Sequence, residues 1–270
     1  MLGKLRKYHH KEEQLLVFSK DFIGEEVFAY GVYEKHEIEL IAKVINHEAS
    51  QSTALDIGAN IGNHAIQFSK IFKEVICFEP NPLIFEILKL NTRSATHVHC
   101  YNIGLSNEEK TAFLEIPEKN FGGAKIAHSK SQKTLDILLK KGDDIIEKAF
   151  SFIKIDVEGH EMEALLGMEK SILTNKPIIC FELINKDASS LKIIEFLKNL
   201  GYRKFYIPYQ KSIFPKSGKK RFYRSFIDGL IFKKTSHLQA EESFNKPFYN
   251  LIFCEREDSN FRIKKEAIKK

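Results

Sequence analysis

The stretch of residues 53–81 constrains the fold of this chain more than any other. It reads TALDIGANIGNHAIQFSKIFKEVICFEPN, in which a short apolar run leads into a glycine turn, apolar residues at helical spacing and a second apolar run that ends on Glu79. Strand, turn, helix and strand in this order form the first βαβ unit of a nucleotide-type fold. Gly58 and Gly62 would let backbone amides approach a ligand at the start of the helix, where the dipole favours negative charge.

The spacing inside the glycine turn separates two classes of ligand. A dinucleotide site needs a glycine at the middle position, so that pyrophosphate can pack against the backbone. Because Asn60 stands there, a nucleotide-sugar dehydrogenase is disfavoured. Asn60 can instead bond the amino-acid end of a small cofactor, and Glu79, roughly 20 residues after the turn, suits the two hydroxyls of a ribose. With Asp56, these residues predict the S-adenosylmethionine site of a class I methyltransferase, whereas a plain strand–helix turn explains only the glycines.

Composition places the chain among ordinary globular proteins. It has 270 residues, 43% hydrophobic and 29% charged, with a net charge of +6, which is enough for one large α/β domain with small additions. No apolar run reaches the ~20 residues that span a bilayer, and the first residues lack the apolar core of a signal peptide. Cys77, Cys100, Cys180 and Cys254 form no zinc pattern and are interpreted as buried free thiols. We therefore expect a cytoplasmic protein.

The order of the apolar segments predicts a Rossmann-like class I methyltransferase domain over residues 51–257. Its mostly parallel seven-stranded sheet would carry helices on both faces. Residues 1–50 are expected to form a helical or hairpin extension, and residues 258–270 a basic tail. Within the domain we expect an insertion at about residues 107–133 and a basic-aromatic loop at about residues 203–227.

Three further local expectations follow. The third strand of a class I fold ends beside the adenine, so Asn102 and Ile103 are candidate adenine contacts. Residues 134–139 and 143–149 are expected to be helical. A polar-aromatic group in the extension could fold over the cofactor or touch the acceptor; its members are Tyr30, Tyr33, Glu34, His36 and Glu37.

A second cluster of polar residues follows the apolar strand of SFIKIDVEGHE. Asp156, Glu158, His160 and Glu161 crowd the end of this strand. In open α/β sheets ligands bind outside the carboxyl ends of the strands, and a packed core would exclude so many polar groups. We therefore expect a functional site here, although Glu161 is equally explained as a favourable charge at the start of the next helix.

Taken together, these motifs resemble the FkbM family of S-adenosylmethionine-dependent methyltransferases. The resemblance rests on LDIGANIGNHAIQFS, VICFEPNP and FIKIDVEGHEMEALLGM, and covers roughly residues 55–183. It implies an O-methyltransferase acting on a hydroxyl of a sugar or glycan, such as a polysaccharide, glycolipid or nucleotide-sugar. It also implies acceptor or catalytic roles at residues 156–160. The implied cofactor contacts are Asp56, Gly58, Asn60, Gly62, Glu79 and Asn102.

Methylation of a hydroxyl requires an aligned acceptor oxygen and removal of its proton. His160 is the best single base because its ordinary pKa lies near neutral, and Asp156 or Glu158 could orient it or act in its place. Alternatively, Asp156, Glu158 and Glu182 could hold one divalent cation through oxygen ligands, as in a metal-assisted O-methyltransferase for small molecules or natural products. A non-catalytic Rossmann-like module that binds nucleotide or glycan is the remaining alternative.

The basic-aromatic loop concerns the acceptor. Between residues 201 and 227 the chain carries eight Lys or Arg residues and no acid, interleaved with aromatic residues. Cations bind phosphate and aromatic faces stack on sugars, so we expect a sugar-containing acceptor, phosphorylated or lipid-linked, that touches Lys219, Lys220 and Arg221. Peripheral contact with a membrane would fit the same charge. No DNA partner is expected. The simpler explanation of the basic residues is a solvated loop without a binding role.

Overall fold

The fold is built around an eight-stranded, mostly parallel sheet. The computed structural model describes residues 5–10, 13–18, 22–116, 124–127, 129–131, 134–184, 191–209 and 237–269. The strands are β1 (Leu5–His10), β2 (Glu13–Phe18), β3 (Thr53–Ile57), β4 (Glu74–Phe78), β5 (Val98–Tyr101), β6 (Gly104–Leu105), β7 (Lys110–Glu115), β8 (Lys125–Ala127), β9 (Thr134–Lys140), β10 (Phe150–Ile155), β11 (Ile178–Ile184), β12 (Tyr202–Pro208), β13 (Leu238–Ala240) and β14 (Phe248–Arg256). The helices are α1 (Phe22–Tyr30), α2 (Lys35–Val44), α3 (His47–Ser50), α4 (Asn63–Phe68), α5 (Pro82–Thr92), α6 (Gly142–Ile145), α7 (Glu161–Leu166), α8 (Glu169–Asn175) and α9 (Lys192–Asn199), with a 3-10 helix at Lys265–Ala267.

The strand order of the main sheet is β13-β12-β14-β11-β10-β3-β4-β5. Strands β5, β4, β3, β10 and β11 are parallel to one another, and β14 runs antiparallel between β11 and β12. The predicted class I methyltransferase sheet is therefore confirmed, with β13 added as an eighth strand at the edge. The chain winds outward in one direction from β3 through β4 and β5 and in the other from β10. Such a switch point leaves a crevice at the carboxyl ends of the central strands.

Both faces of the central strands are covered. All residues of β3 and β10 are buried, which explains why these strands are apolar runs rather than alternating ones. Leu55 and Ile153 pack on one face in a cluster that includes residues of α7 and α9. Ala54 and Phe152 pack on the other face with residues of α2 and α4. Cys77, Cys180 and Cys254 are buried in these layers and Cys100 is half-buried, all four as free thiols.

A second sheet, in the order β6-β9-β7-β8, lies between β5 and β10 in the chain. The expectation of a helix at residues 134–139 is wrong, because this segment is strand β9, paired antiparallel with β7. Ile137 and Leu139 are buried while Asp136 and Leu138 point outward, and this period of two is typical of a half-buried strand. Their buried side chains pack with Ala112 and others from β7.

The segments before and after the main domain are both attached to it. The hairpin β1–β2 is held by Asn91 of α5, which accepts a hydrogen bond from the Leu16 amide at 2.7 Å and donates to the Leu16 carbonyl at 3.0 Å. After β14, Ile263 forms an isolated β-bridge with Ile45. None of the helices in the described ranges has the length and apolar character that a membrane crossing needs.

Candidate functional site

The glycine turn joins β3 to α4 and passes close to the end of β10. Gly58 has a φ of +83°, and a Cβ added there would lie 1.9 Å from the carbonyl oxygen of Asp156. Gly62 has a φ of +88°, and its Cβ would lie 2.8 Å from a methyl carbon of Leu88. Both glycines are thus required by the packing of the turn itself, in addition to any role toward a ligand.

Glu79 directly follows β4, and its side chain binds two backbone amides that border the crevice. One carboxylate oxygen accepts a hydrogen bond from the Asn60 amide at 2.9 Å, and the other accepts one from the Asn81 amide at 2.9 Å. Burial raises the pKa of Glu79 to about 7, although the two amides act in the opposite direction. The predicted ribose-binding acid therefore also fixes the geometry of the turn that carries Asn60.

The remaining residues predicted to contact the cofactor lie around this turn. Asn60 has a φ of +50°, and its side-chain oxygen accepts a hydrogen bond from the Ile61 amide at 2.7 Å. Asn102 is exposed and donates to the carbonyl oxygens of Glu79 and Pro80 at 2.8 and 3.1 Å. Neither Asn102 nor Ile103 lines the crevice; the wall beyond β5 is formed by the next residues, Gly104 and Leu105.

Asp56 lies beneath the glycine turn. Its side chain is fully buried, and neither carboxylate oxygen has a hydrogen-bond partner of normal geometry among the described residues. Burial raises the pKa of Asp56 to about 6, opposed by the charge of Lys154, which is its register partner on β10. Asp56 thus acts on the site through its charge and does not form part of the crevice wall.

The crevice is a single cleft above the carboxyl ends of β3, β4, β10 and β11. The extension contributes Ile23 and Tyr33 to its walls; of the polar-aromatic group expected to reach the cofactor or acceptor, Tyr33 is the member that lines the cleft. The second sheet contributes another wall, through Leu114, Ala124, Ile126 and Leu139. The floor and the polar end contain Gly58, Asn60, Glu79, Asn81, Lys154, Asp156, Glu158, His160 and Glu182.

One end of the cleft is an acidic group arranged around Lys154. Lys154 is 4% exposed, and its Nζ atom lies 3.0 Å from Oδ2 of Asp156. Burial raises the pKa of Glu182 to about 8 and that of Glu37 to about 9, and neighbouring carboxylates add to both effects. Burial also raises the pKa of Glu34, partly against the charge of Lys154. Glu37 and Glu182 are therefore largely protonated near neutral pH and can donate hydrogen bonds.

His160 belongs to a different part of the cleft. Its Nε2 atom lies 3.0 Å from the Ser106 hydroxyl, and its Nδ1 atom lies 3.6 Å from a carboxylate oxygen of Glu163. Burial lowers the pKa of His160, with Glu163 opposing, so the ring is neutral at pH 7. Glu158 has a φ of +51°, and its carboxylate lies 3.6 Å from the Lys125 ammonium.

Sequence reasoning missed two residues that hold this site together. Lys154 could have been found, since a lysine inside an otherwise apolar, buried strand is rare without a charged partner. Asn63 had no such signal. It is buried on α4, where its side chain accepts from the Tyr33 amide at 3.0 Å and donates to the Tyr33 carbonyl at 2.9 Å.

Two further predictions concern a metal site and the basic-aromatic loop. Within the described ranges, no group of three His, Cys, Asp or Glu side chains is arranged so that it could hold a metal ion. The predicted ligands Asp156, Glu158 and Glu182 therefore do not form such a group. Lys219, Lys220 and Arg221 lie outside the described residues.

The sequence of the chain is similar to that of known methyltransferases. The sequence profile of the methyltransferase FkbM domain matches residues 56–204, more than half of the chain. The hexuronic acid methyltransferase AglP of Haloferax volcanii is 32% identical over 139 residues, which cover 49% of this chain and 56% of that protein. The match therefore spans only slightly more than half the length of that relative.

Solved structures of low sequence identity are also similar. The methyltransferase FkbM of Methylobacillus flagellatus is 16% identical with a TM-score of 0.45, over 76% of this chain and 44% of that chain. A tRNA (uracil-54, C5)-methyltransferase of Pyrococcus abyssi, solved with S-adenosyl-L-homocysteine, is 11% identical with a TM-score of 0.46, over 93% of this chain and 44% of that chain.

Proposed function

The chain belongs to the FkbM methyltransferase family, and from this premise we propose that it transfers a methyl group from S-adenosylmethionine to a hydroxyl oxygen of a sugar-containing acceptor. The observation that carries the proposal is that two clusters of polar residues, both within the region matched by the family profile, line the same cleft. The turn around Gly58 and Glu79 lines the part called here the cofactor end, and the adjoining pair Lys154 and Asp156 lines the part called here the acceptor end.

The cofactor end fits S-adenosylmethionine in its donor and acceptor groups. Glu79 would accept hydrogen bonds from the ribose hydroxyls, and Asn60 would bond the amino-acid end. The Nδ2 atom of Asn81 is buried in the cleft wall and has no hydrogen-bond partner among the described residues, so it is a donor that a polar ligand would satisfy. Asn102 and Ile103, predicted to contact the adenine, do not line the cleft, so we propose that Asn102 acts indirectly by bonding the carbonyl oxygens of Glu79 and Pro80. When bound, the cofactor supplies a methyl group made electrophilic by a positively charged sulfur.

The acceptor end favours a hydroxyl over a carboxylate. Among the described residues that line the cleft, Lys154 is the one Lys or Arg, and Asp156 already neutralises it. A carboxylate acceptor would therefore enter without a free cation, at a cost that grows with burial. A sugar hydroxyl instead meets carboxyl groups that can donate or accept. AglP is named for a hexuronic acid, which supports a sugar acceptor here. That name does not say whether a hydroxyl or a carboxylate oxygen is methylated, so the preference for a hydroxyl rests on the residues of the cleft.

Methylation of a hydroxyl also needs a group that removes the proton. The candidates are Asp156, Glu158 and His160, all of which line the cleft after β10. Because an aligned carboxylate or neutral imidazole suffices for this step, the proposal requires no metal ion, and the metal-assisted alternative is separated from it by experiment.

The test uses the full chain with S-adenosylmethionine that carries a labelled methyl group. Polysaccharide, glycolipid and nucleotide-sugar acceptors are offered in matched pairs, one with a neutral sugar and one with the corresponding uronic acid. We expect label in a product that survives mild alkali, since ethers resist alkaline hydrolysis and methyl esters do not. Label that is released by alkali would contradict the hydroxyl assignment.

Two controls separate the alternatives. Calorimetric titration with S-adenosylhomocysteine and with NAD distinguishes a methyltransferase cleft from a dinucleotide site. Activity that disappears with EDTA and returns with Mg²⁺ would support the metal-assisted enzyme. Tight binding of S-adenosylhomocysteine with no transfer to any acceptor would support a binding module.

A further inference from the structure

Lys154 is a buried lysine in the middle of an apolar strand. All six residues of β10 are buried, and Lys154 itself is 4% exposed. Removing an ammonium group from water costs several kcal/mol unless a partner compensates it. Its direct partner is Asp156, two residues along the chain at 3.0 Å, which lines the cleft and is 31% exposed in its side chain.

Carboxyl groups from every neighbouring element face this pair. Burial alone would lower the pKa of Lys154, but Asp156, Asp56 and Glu34 outweigh it and raise the pKa above its ordinary value. The lysine is therefore charged throughout the working range of pH. The other titratable groups that interact electrostatically with Lys154 or Asp156 are Tyr33 before α2, Glu37 in α2, His64 in α4, Glu79 just after β4, Glu161 in α7, and Cys180 and Glu182 in β11.

Asp156 differs from the other acids of the group by its direct ion pair. Glu37 and Glu182 have pKa values raised to about 9 and about 8, mainly by burial, so they are largely protonated and poor proton acceptors at pH 7. The carbonyl of Asp156 also touches the glycine turn, because a Cβ on Gly58 would meet it at 1.9 Å. The backbone of Asp156 thus adjoins the segment expected to hold the methyl donor, and its side chain lines the same cleft.

We propose that Lys154 is a positioning residue whose direct ion pair holds the Asp156 carboxylate in place as the group that takes the proton from the acceptor hydroxyl. This inference rests on the proposed function. In the step, the acceptor oxygen forms a bond to the methyl carbon while the carbon–sulfur bond breaks and its electron pair stays on sulfur. The hydroxyl proton passes to Asp156, which later returns it to water. His160 is not the acceptor, since its ring is engaged by Ser106 and Glu163.

The first experiment compares Lys154→Met, which keeps much of the side-chain volume, with Lys148→Met as the matched control. Lys148 is an exposed lysine that pairs with Glu74 away from the cleft. We expect Lys154→Met to lower kcat by roughly 10²–10⁴-fold, with affinity for S-adenosylhomocysteine unchanged, and Lys148→Met to behave as wild type. Lys154→Arg, which keeps the charge, should recover part of the loss. Wild-type kcat in Lys154→Met would overturn the proposal.

A double-mutant cycle shows whether Lys154 acts through Asp156. Asp156→Asn should lose as much kcat as Lys154→Met, and the double variant should fall no further, because the two residues form one unit. His160→Ala should retain more activity than Asp156→Asn. Losses that add in the double variant, or a larger loss in His160→Ala, would overturn the assignment.

A spectroscopic readout keeps the inference testable without turnover. Infrared difference spectra against Asp156→Asn isolate the Asp156 band in protein labelled at aspartate. We expect the Asp156 band to lie at a different frequency in Lys154→Met than in wild type, because the direct ion pair perturbs the carboxylate vibration; the same frequency in both would overturn the inference. If Lys154→Met does not fold, Lys154→Gln, which also removes the charge, provides the same comparison. If wild type transfers no methyl group, the proposed function fails, while this spectrum still decides the role of Lys154.

Discussion

At the scale of single residues, the proposed function gives Glu79 a binding role in addition to its structural one. Its carboxylate accepts from the amides of Asn60 and Asn81, so it both shapes the turn and faces the cleft. An acid placed only for a ligand would leave these amides to other partners. The local chain and the cofactor therefore share one acceptor group, and a change at Glu79 is expected to affect both.

We predict that Glu79→Ala weakens binding of S-adenosylhomocysteine by about 1–3 kcal/mol, because hydrogen-bond acceptors are removed and two amides lose their partner. Calorimetric titration measures the change, with Glu86→Ala on the exposed face of α5 as control. Since the pKa of Glu79 is raised to about 7 and ribose hydroxyls bind the ionised form better, affinity in wild type should increase from pH 6 to pH 8. Equal affinities for wild type and Glu79→Ala would contradict the assignment.

Gly58 and Gly159 offer a matched pair of glycines with positive φ. A Cβ on Gly58 would collide with the Asp156 carbonyl at 1.9 Å, whereas a Cβ on Gly159 would meet nothing within 4 Å. We therefore predict that Gly159→Ala costs only the backbone term, about 1–2 kcal/mol, and that Gly58→Ala is more damaging because β3 and β10 must separate. Urea unfolding of both variants tests this; similar losses of stability would argue that the turn relaxes.

At the scale of elements, α4 connects the glycine turn to the extension. Asn63 opens this helix and bonds both backbone groups of Tyr33, so the segment before α2 is fixed relative to the cofactor turn. The same segment carries Tyr33 into the cleft and brings Glu34 to 3.3 Å from His64. The acceptor end of the cleft thus depends on a contact between elements that are separate in sequence.

We predict that Asn63→Ala raises the acceptor KM and destabilises the fold by about 1–3 kcal/mol, as expected when two partly buried backbone groups lose their hydrogen bonds to Asn63. Steady-state kinetics and urea unfolding measure the two effects, with Asn199→Ala at the exposed end of α9 as control. An unchanged acceptor KM together with reduced stability would mean that the contact serves the fold and not acceptor binding.

At the scale of the whole molecule, the buried acids make stability depend on pH. Glu37 and Glu182 have ordinary pKa values near 4.5 when unfolded and values raised to about 9 and about 8 when folded. At pH values between the unfolded and folded pKa values, the folded state binds more protons than the unfolded state. The two carboxyls therefore lower the free energy of unfolding as pH rises. Cys100, whose pKa is lowered to about 7 chiefly by a hydrogen bond from Cys77, acts in the opposite direction.

We predict that the free energy of unfolding falls less steeply between pH 6.5 and pH 9 in the double variant Glu37→Gln, Glu182→Gln than in wild type. His64 and His160 have pKa values below 6.5 in the folded state, so they reduce stability only as pH falls below about 6.5. Their titration therefore lies outside this window. Urea titrations at several pH values measure both slopes, and their difference removes the contribution of Cys100. Parallel slopes would show that these two carboxyls do not titrate in the folded protein within this window.

Local pattern was sufficient for much of the central sheet and for one half of the site. The first βαβ unit, the glycine turn and the polar end of β10 are contiguous segments, so periodicity and spacing identify them directly. Glu79 could be named as a site residue because the acid follows the turn by a fixed distance in this fold. The buried strand β10 could be identified because a strand covered on both faces is apolar throughout.

The partners of these residues were decided only by the tertiary structure. Residues 134–139 are apolar enough for either a helix or a strand, and pairing with β7 settled them as β9. His160 could be assigned as a base from its ordinary pKa, but Ser106, 54 residues earlier, engages its ring. Lys154 acquires its role because β3, β10, β11 and the extension bring their acids to one end of the cleft. Sequence specifies which groups can carry charge, whereas burial and distance, which depend on the packed fold, determine which of them do.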